Sequence, residues 1–259
     1  MYKGIDVSDY QGIIDWSKVK QAGCEFAILR SVRHSGKADN QFSKNLEACR
    51  KYDIPVGVYK YTYAKTVEEA QKEAEQVVNL LKTNNLRCKV FWDVEDRDYL
   101  YGLGKEKLTE IIQAAQAVIE NAGLTFCLYV GLYVYKEKWF DFSDFTCPLW
   151  VARYPLSGTK TLSDTPAEKY KPDLSRDIYG WQYSSEGKVD GISTNVDLNI
   201  LYENPASLEI GTVQMPIPND SEMTEQYIVV TERMKMKLVE EITKAAADLG
   251  VKYEVYKSI

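Results

Sequence analysis

The chain has 259 residues, 45% hydrophobic and 27% charged, the composition of an ordinary globular protein with room for one large domain and a small appendage. Its net charge of -6 and pI of about 5.1 argue against nucleic acid as a partner, because nucleic-acid binders carry a basic excess. A sugar polymer is not excluded, since aromatic rings and hydrogen bonds rather than net charge hold it.

No run approaches the roughly 18 consecutive apolar residues of a membrane span, so membrane insertion is not expected. Asp6 falls where a signal peptide would need an apolar core, so no export signal is expected at this end. The five cysteines (Cys24, Cys49, Cys88, Cys127 and Cys147) are odd in number and form no CxxC, and His34 is the single histidine. Neither a zinc site nor a disulfide framework is expected, and no cofactor is implied. Cys88 and Cys127 fall in strand-like runs and read as small core residues. Ser-His-Asp and Cys-His chemistry would have to rest on His34. That residue lies in a polar Arg33-His34-Ser35-Gly36 loop and reads as solvated.

In chain order, short β-rich runs alternate with helical patterns over the first 200 or so residues. The predicted strands are Gly4–Ser8, Phe26–Val32, Val56–Tyr63, Cys88–Glu95, Thr125–Gly131, Leu149–Tyr154, Ile178–Tyr183 and Val196–Ile200. Most are rich in Val, Ile, Tyr and Phe, as strands buried on both faces are. Between the early ones lie predicted helices. Trp16–Ala22 stops at Gly23, and Asn40–Lys51 precedes Pro55. Thr66–Lys82 carries Val67, Ala70, Ala74, Val77, Val78 and Leu81 near helical spacing, and Lys105–Ala122 stops at Gly123. Strands alternating with helices predict an α/β fold, a (β/α)-type barrel. The long helices cease near Leu149, so the barrel should be irregular there.

After Tyr202 the character changes. Residues 203–223 contain Pro205, Pro216, Pro218, Asn219, Asp220 and Ser221 and read as a linker. Residues 224–259 read as one β-α-β unit: strand Tyr227–Val230, helix Thr231–Leu249, strand Val251–Ser258. A unit of this size is too small to be stable alone. It is expected to pack on the main domain, to pair with a second copy or to be part of a larger module, with self-association or wall attachment as its role and a packing extension as the alternative.

In a barrel, functional residues belong at the C-terminal ends of the strands. The first strand ends Asp6-Val7-Ser8-Asp9, the fourth ends Asp93-Val94-Glu95-Asp96, and the last begins Asn195-Val196-Asp197. Asp93 and Glu95 are two apart, so on a strand they share a face, about 6–7 Å apart along the chain. Like charges so close push one carboxyl to keep its proton. A neutral carboxyl beside an ionised one is what glycoside cleavage uses. Two other readings stay open here: a magnesium site built from the same acids, and a solvated strand end neutralised by Arg97. Tyr59, Tyr61 and Tyr63 alternate on the third strand, and Tyr129, Trp150, Tyr154, Trp181 and Tyr183 fall on later ones. Such rings stack on the C–H faces of sugars or fill a barrel.

The stretch Gly4-Ile5-Asp6-Val7-Ser8-Asp9-Tyr10-Gln11-Gly12-Ile13-Ile14-Asp15-Trp16 resembles the opening of family 25 glycoside hydrolases, the muramidases called Chalaropsis-type lysozymes, which include phage endolysins. Matching motifs follow in order: Phe26-Ala27-Ile28-Leu29-Arg30, Pro55-Val56-Gly57-Val58-Tyr59, Phe91-Trp92-Asp93-Val94-Glu95, Leu149-Trp150-Val151-Ala152-Arg153-Tyr154, Trp181-Gln182-Tyr183-Ser184-Ser185 and Val196-Asp197-Leu198-Asn199. They span roughly residues 1–202. The resemblance implies a flattened, irregular TIM-like barrel with an acidic groove. It also implies cleavage of the β-1,4 bond from N-acetylmuramic acid to N-acetylglucosamine in bacterial peptidoglycan, outside the cell.

By the same resemblance Glu95 is the general acid/base, and Asp93 orients the N-acetyl group or stabilises the cation. Asp6 and Asp197 complete the acidic floor, and Tyr59, Tyr61, Tyr129, Trp150, Trp181 and Arg30 match groove positions. The family's nucleophile, a carboxylate or the substrate's own N-acetyl group, stays open. A non-catalytic wall-binding module on the same barrel is the alternative, but it would require the four acids to be lost, and all are present. Two stretches depart from the pattern. Arg30–Gly36 lacks the small, Gly-containing segment that usually follows this strand, and the tail after Tyr202 resembles no family module.

Overall fold

A computed structural model describes residues 1–155 and 160–209. The predicted tail unit at 224–259, and all of the linker beyond residue 209, lie outside the described residues. Eight strands close a barrel in sequence order: β1 Tyr2–Val7, β2 Phe26–Arg30, β3 Val56–Tyr61, β4 Lys89–Asp93, β5 Thr125–Gly131, β6 Leu149–Ala152, β7 Gly180–Gly187 and β8 Val196–Leu201. Around it run α1 Trp16–Gln21, α2 Phe42–Lys51, α3 Val67–Thr83, α4 Arg97–Leu100, α5 Lys105–Asn121 and α6 Leu132–Glu137. Among the described residues, no helix is long and apolar enough to cross a membrane.

Local chemistry sets the helix ends. Asp15 accepts a hydrogen bond from Lys18 N and Thr66 from Glu69 N, which satisfies first-turn donors of α1 and α3. Past α5 the chain turns at Gly123, whose φ of 72° favours glycine. The periodic apolar residues of α3 (Ala70, Ala74, Val77, Val78, Leu81) and α5 (Leu108, Ile111, Ile112, Ala115, Ile119) are buried, and the two helices lie side by side on the barrel.

Each strand alternates between two apolar environments. Outward residues such as Ile5, Ala27, Val58, Trp92, Leu128 and Val151 join the helices in the larger cluster. Inward residues Phe26, Ile28, Phe91, Cys127, Trp150 and Leu201 fill the barrel. Room inside comes from glycine. A Cβ on Gly4 would stand 2.6 Å from the Phe26 ring, and one on Gly180 would meet Leu201 at 2.9 Å and Trp150 at 3.1 Å.

Strands β1 to β7 pair in parallel, but β8 is antiparallel to both β7 and β1. The turn from β7 to β8 runs from Lys188 to Asn195, too short for a parallel crossover, so the chain reverses. The start of β8 thereby reaches the rim where the parallel strands end, and Asp197 lies opposite Asp6 in the register.

The segment following the last strand also differs from the sequence expectation. Residues 203–209, read as the start of a linker, close the opposite end of the barrel. Pro205 and Leu208 are buried, Glu209 Oε1 accepts from Val56 N at 3.1 Å, and Glu209 bridges to Cys88. The apolar Leu208 side chain, packed with Phe26, Phe91 and Tyr179, is what ties it down.

Candidate active site

At the rim where β1 to β7 end, a pocket of about 150 Å³ is lined by Asp6, Tyr59, Tyr61, Asp93, Glu95, Tyr129, Trp150, Tyr154, Gln182 and Asp197. Alternation places most of these. Asp6, Tyr59, Asp93, Tyr129 and Trp150 are inward positions of β1, β3, β4, β5 and β6. Tyr61, Asp93, Tyr129 and Trp150 stand in one continuous register across β3 to β6. Strand β4 ends at Asp93, so Glu95 lies beyond it rather than on it. Val94 N still bonds Tyr129 O at 3.0 Å, and Val94 is fully buried outward. Alternation therefore continues one step and returns Glu95 to the pocket.

A polar network fixes Asp6. Gln182 Nε2 donates to Asp6 Oδ2 at 2.9 Å, and Asn199 Nδ2 donates to the same oxygen at 2.7 Å. Trp150 Nε1 donates to Asn199 Oδ1 at 3.0 Å, while the hydroxyls of Tyr129 and Tyr154 donate to Gln182 Oε1 at 2.7 and 2.6 Å. The amides are thus oriented with their NH₂ groups toward the carboxylate. Asp93 is treated differently: it is buried, and its Oδ1 has no hydrogen-bond partner.

The four carboxyls raise one another's proton affinity. Burial is the main cause in each case. Asp6 is pushed up to about 6 even though its two amide donors pull it down. Glu95 rises to about 7 through burial and the charges of Asp6 and Asp96, with Tyr129 pulling the other way. Asp197 rises to about 9 through burial and the charges of Asp6 and Glu95. Asp93 is raised well above the ordinary carboxylate range by burial, Glu95 and Asp6, against the Lys60 ammonium behind it. Chemically, the pocket offers protonated acids next to an ionised, amide-held carboxylate, with aromatic walls.

Two residues assigned to the groove from the sequence lie elsewhere. Trp181 is an outward position of β7, buried in the helix-facing cluster, with Nε1 bonded to Arg153 O at 2.8 Å. Strand parity puts its neighbour Gln182 in the pocket instead. Arg30 points inward at the end of β2, but its guanidinium is taken by Asp39 and Asp9. It braces the loops after β1 and β2, and Asp9 is held further by Asn40 Nδ2 at 2.9 Å. Gln182 and Asn199 were missed as site residues. Their signal was a polar amide inside an otherwise apolar strand run, where a buried amide needs a partner.

This difference between neighbours is testable. Trp181→Phe is expected to keep KM within about twofold, its loss being confined to one buried hydrogen bond. Gln182→Leu strips a donor from Asp6 and an acceptor from two tyrosines, and kcat is expected to fall roughly tenfold to a hundredfold. Steady-state kinetics on one glycan substrate compares them. A larger loss from Trp181→Phe would contradict the placement.

The sequence pattern of glycosyl hydrolases family 25 matches residues 5–192. The autolytic lysozyme of Clostridium acetobutylicum is 27% identical over 197 residues, covering 76% of this chain and 55% of the relative. Lysozyme M1 of Streptomyces globisporus is 26% identical over 209 residues, covering 76% and 66%. The modular autolysin LytC from Streptococcus pneumoniae, solved in complex with a synthetic peptidoglycan ligand, superposes with a TM-score of 0.64 at 27% identity, covering 78% of this chain and 46% of LytC. The catalytic domain of endolysin ply40 from bacteriophage P40 of Listeria monocytogenes shares the fold, with a TM-score of 0.64 at 24% identity over 80% of this chain and 95% of that one. The chain thus spans about half the length of the autolytic lysozyme and of LytC. With the motifs in order, the barrel closed and a family pattern covering most of its described part, the chain belongs to glycosyl hydrolases family 25.

Proposed function

We propose that this protein hydrolyses the β-1,4 bond between N-acetylmuramic acid and N-acetylglucosamine in bacterial peptidoglycan, acting on the wall from outside the cytoplasm. The observation that carries the reading is the cluster of Asp6, Asp93, Glu95 and Asp197 in one aromatic-walled pocket, with Glu95 raised to about 7. A carboxyl poised there holds a proton near neutral pH and can give it to the leaving glycosidic oxygen. Positive charge then develops on the sugar ring, and the ionised member of the cluster stabilises it. Asp6, the most readily ionised of the four, is suited to that task because two amides already hold its oxygen. Asp93 Oδ1 is a buried acceptor without a donor, and the N–H of a substrate N-acetyl group would satisfy it. That contact favours orientation of the N-acetyl group as the role of Asp93.

Digestion of purified peptidoglycan, followed by borohydride reduction and mass spectrometry, tests the bond. Products ending in reduced N-acetylmuramic acid are expected. Ends of reduced N-acetylglucosamine would assign the enzyme to the other bond.

A further inference from the structure

The wall that Tyr61 gives the pocket continues outward. The Tyr61 and Tyr63 ring centroids lie 4.9 Å apart. Tyr63 meets the edge of His34 at 4.2 Å and of Tyr99 at 5.4 Å, and Lys65 Nζ stands 4.4 Å from the Tyr99 centroid. These side chains come from the segments following β2, β3 and β4, three adjacent strands that all end at the pocket rim. His34, which the sequence presents as a plain solvated histidine, is exposed but packed into this cluster.

Two features make the patch a surface for something else. It is exposed and apolar at the mouth of a cleft, with Tyr99 retaining 39% of its accessibility, and clustered rings in such places mark interaction sites. It is also fixed rather than fluid. Asp96 accepts from the Tyr61 hydroxyl at 3.1 Å and caps α4 through Tyr99 N at 3.0 Å, which ties the loop bearing Tyr99 to the pocket wall. Lys65 brings a cation to the far edge and has no carboxylate partner among the described residues.

We propose that Tyr63, Tyr99 and His34 form an outer subsite for a further pyranose ring of the glycan strand, with Lys65 receiving a carboxylate borne by that sugar or its peptide arm. The site rests on the pocket being a glycan-cleaving one, since the strand would run from the pocket across Tyr61 onto the patch. A ring stacked here touches no reacting atom. Its contribution is uniform binding, which appears in KM and not in kcat.

The test uses the full chain and two lengths of purified glycan strand: a tetrasaccharide that occupies the pocket and its immediate neighbours, and strands of about eight sugars or more. The His34→Ala/Tyr99→Ala protein is expected to show KM raised about tenfold on long strands, with kcat unchanged and neither constant altered on the tetrasaccharide. Tyr99→Phe, which keeps the ring, keeps the long-strand KM. Lys65→Gln raises KM on long strands: on peptide-bearing ones where the peptide arm supplies the carboxylate, or on peptide-free ones, whose sugar carboxyl is then free, where the sugar supplies it. No change on either overturns the role of Lys65. An equal effect on both lengths, or none, overturns the subsite. Calorimetric binding of the same long strands separates this from failure of the hydrolytic reading. If nothing is cut, yet the original protein binds long strands about tenfold tighter than the double variant, the subsite stands and hydrolysis falls. Equal binding overturns the subsite.

Discussion

Glu95→Gln is expected to lose roughly a thousandfold in kcat, the scale of removing a general acid, while keeping its fold and its affinity for glycan. Glutamine has the same shape but no proton to give. The pH profile of the unaltered protein should carry the same signature. Glu95 must be protonated, and burial with the charges of Asp6 and Asp96 raises it to about 7, so kcat/KM falls as pH rises through that value. Asp6 must be ionised if it is to stabilise the sugar cation. It is raised to about 6, so the rate also falls as pH drops below that. The two limits leave a narrow optimum between them. Because the carboxyls interact, the limbs belong to the cluster rather than to single residues. Rates on a soluble glycan at constant ionic strength check this. A profile still flat at about pH 9, or an active Glu95→Gln protein, would remove Glu95 from the role of acid.

Much of this site was readable from the chain because barrel strands translate sequence into position by parity. Asp6, Asp93 and Tyr129 sit among alternating apolar residues, and alternation carries each to the same interior. The sequence misleads where parity depends on a strand's start. Ile178–Tyr183 is a mostly apolar run without clear alternation, and only the pairing of Gly180 with Trp150 and Leu201 decides that Gln182 faces in and Trp181 out. Arg30 was placed correctly on its strand, but its partners Asp9 and Asp39 lie in two different loops, and no local pattern announces such a pairing. The short α4 and α6 left no legible periodicity in four and six residues, whereas α1, also six residues long, was legible from its stop at Gly23. Leu208 reads as linker because Pro205 and Asn204 surround it. Its burial depends on an open barrel end formed by distant strands.

Asp197→Asn is expected to make the protein more stable at alkaline pH while lowering its activity. The reason is proton linkage. Asp6, Glu95 and Asp197 have folded values of about 6, 7 and 9 against 3.8, 4.5 and 3.8 for the free side chains, and Asp93 is raised as well. Between these limits the folded state binds more protons than the unfolded one. Its stability from these groups is therefore full below about pH 4 and is lost progressively as pH rises through 6, 7 and 9. Asparagine at 197 never ionises, so that share of the loss disappears. Each unit of relief corresponds to about 1.4 kcal/mol, and in a domain of this size 1 kcal/mol moves Tm by about 2–4 °C. At about pH 8 the variant should thus melt at least roughly 3 °C higher. Near pH 4, where Asp197 is substantially protonated in the unfolded chain as well as in the folded protein, the gap should close. Other pairs with the opposite slope, such as Lys105–Asp141, whose carboxyl is held down at about 2, are common to both proteins and cancel in the difference. Calorimetric melts at the two pH values decide the matter: a gain that persists unchanged in acid would trace to packing, and no gain in alkali would mean that the cluster does not oppose folding. The stability lost to the cluster is the counterpart of its chemistry, because the repulsion and burial that oppose folding are what keep Glu95 protonated at the pH of catalysis.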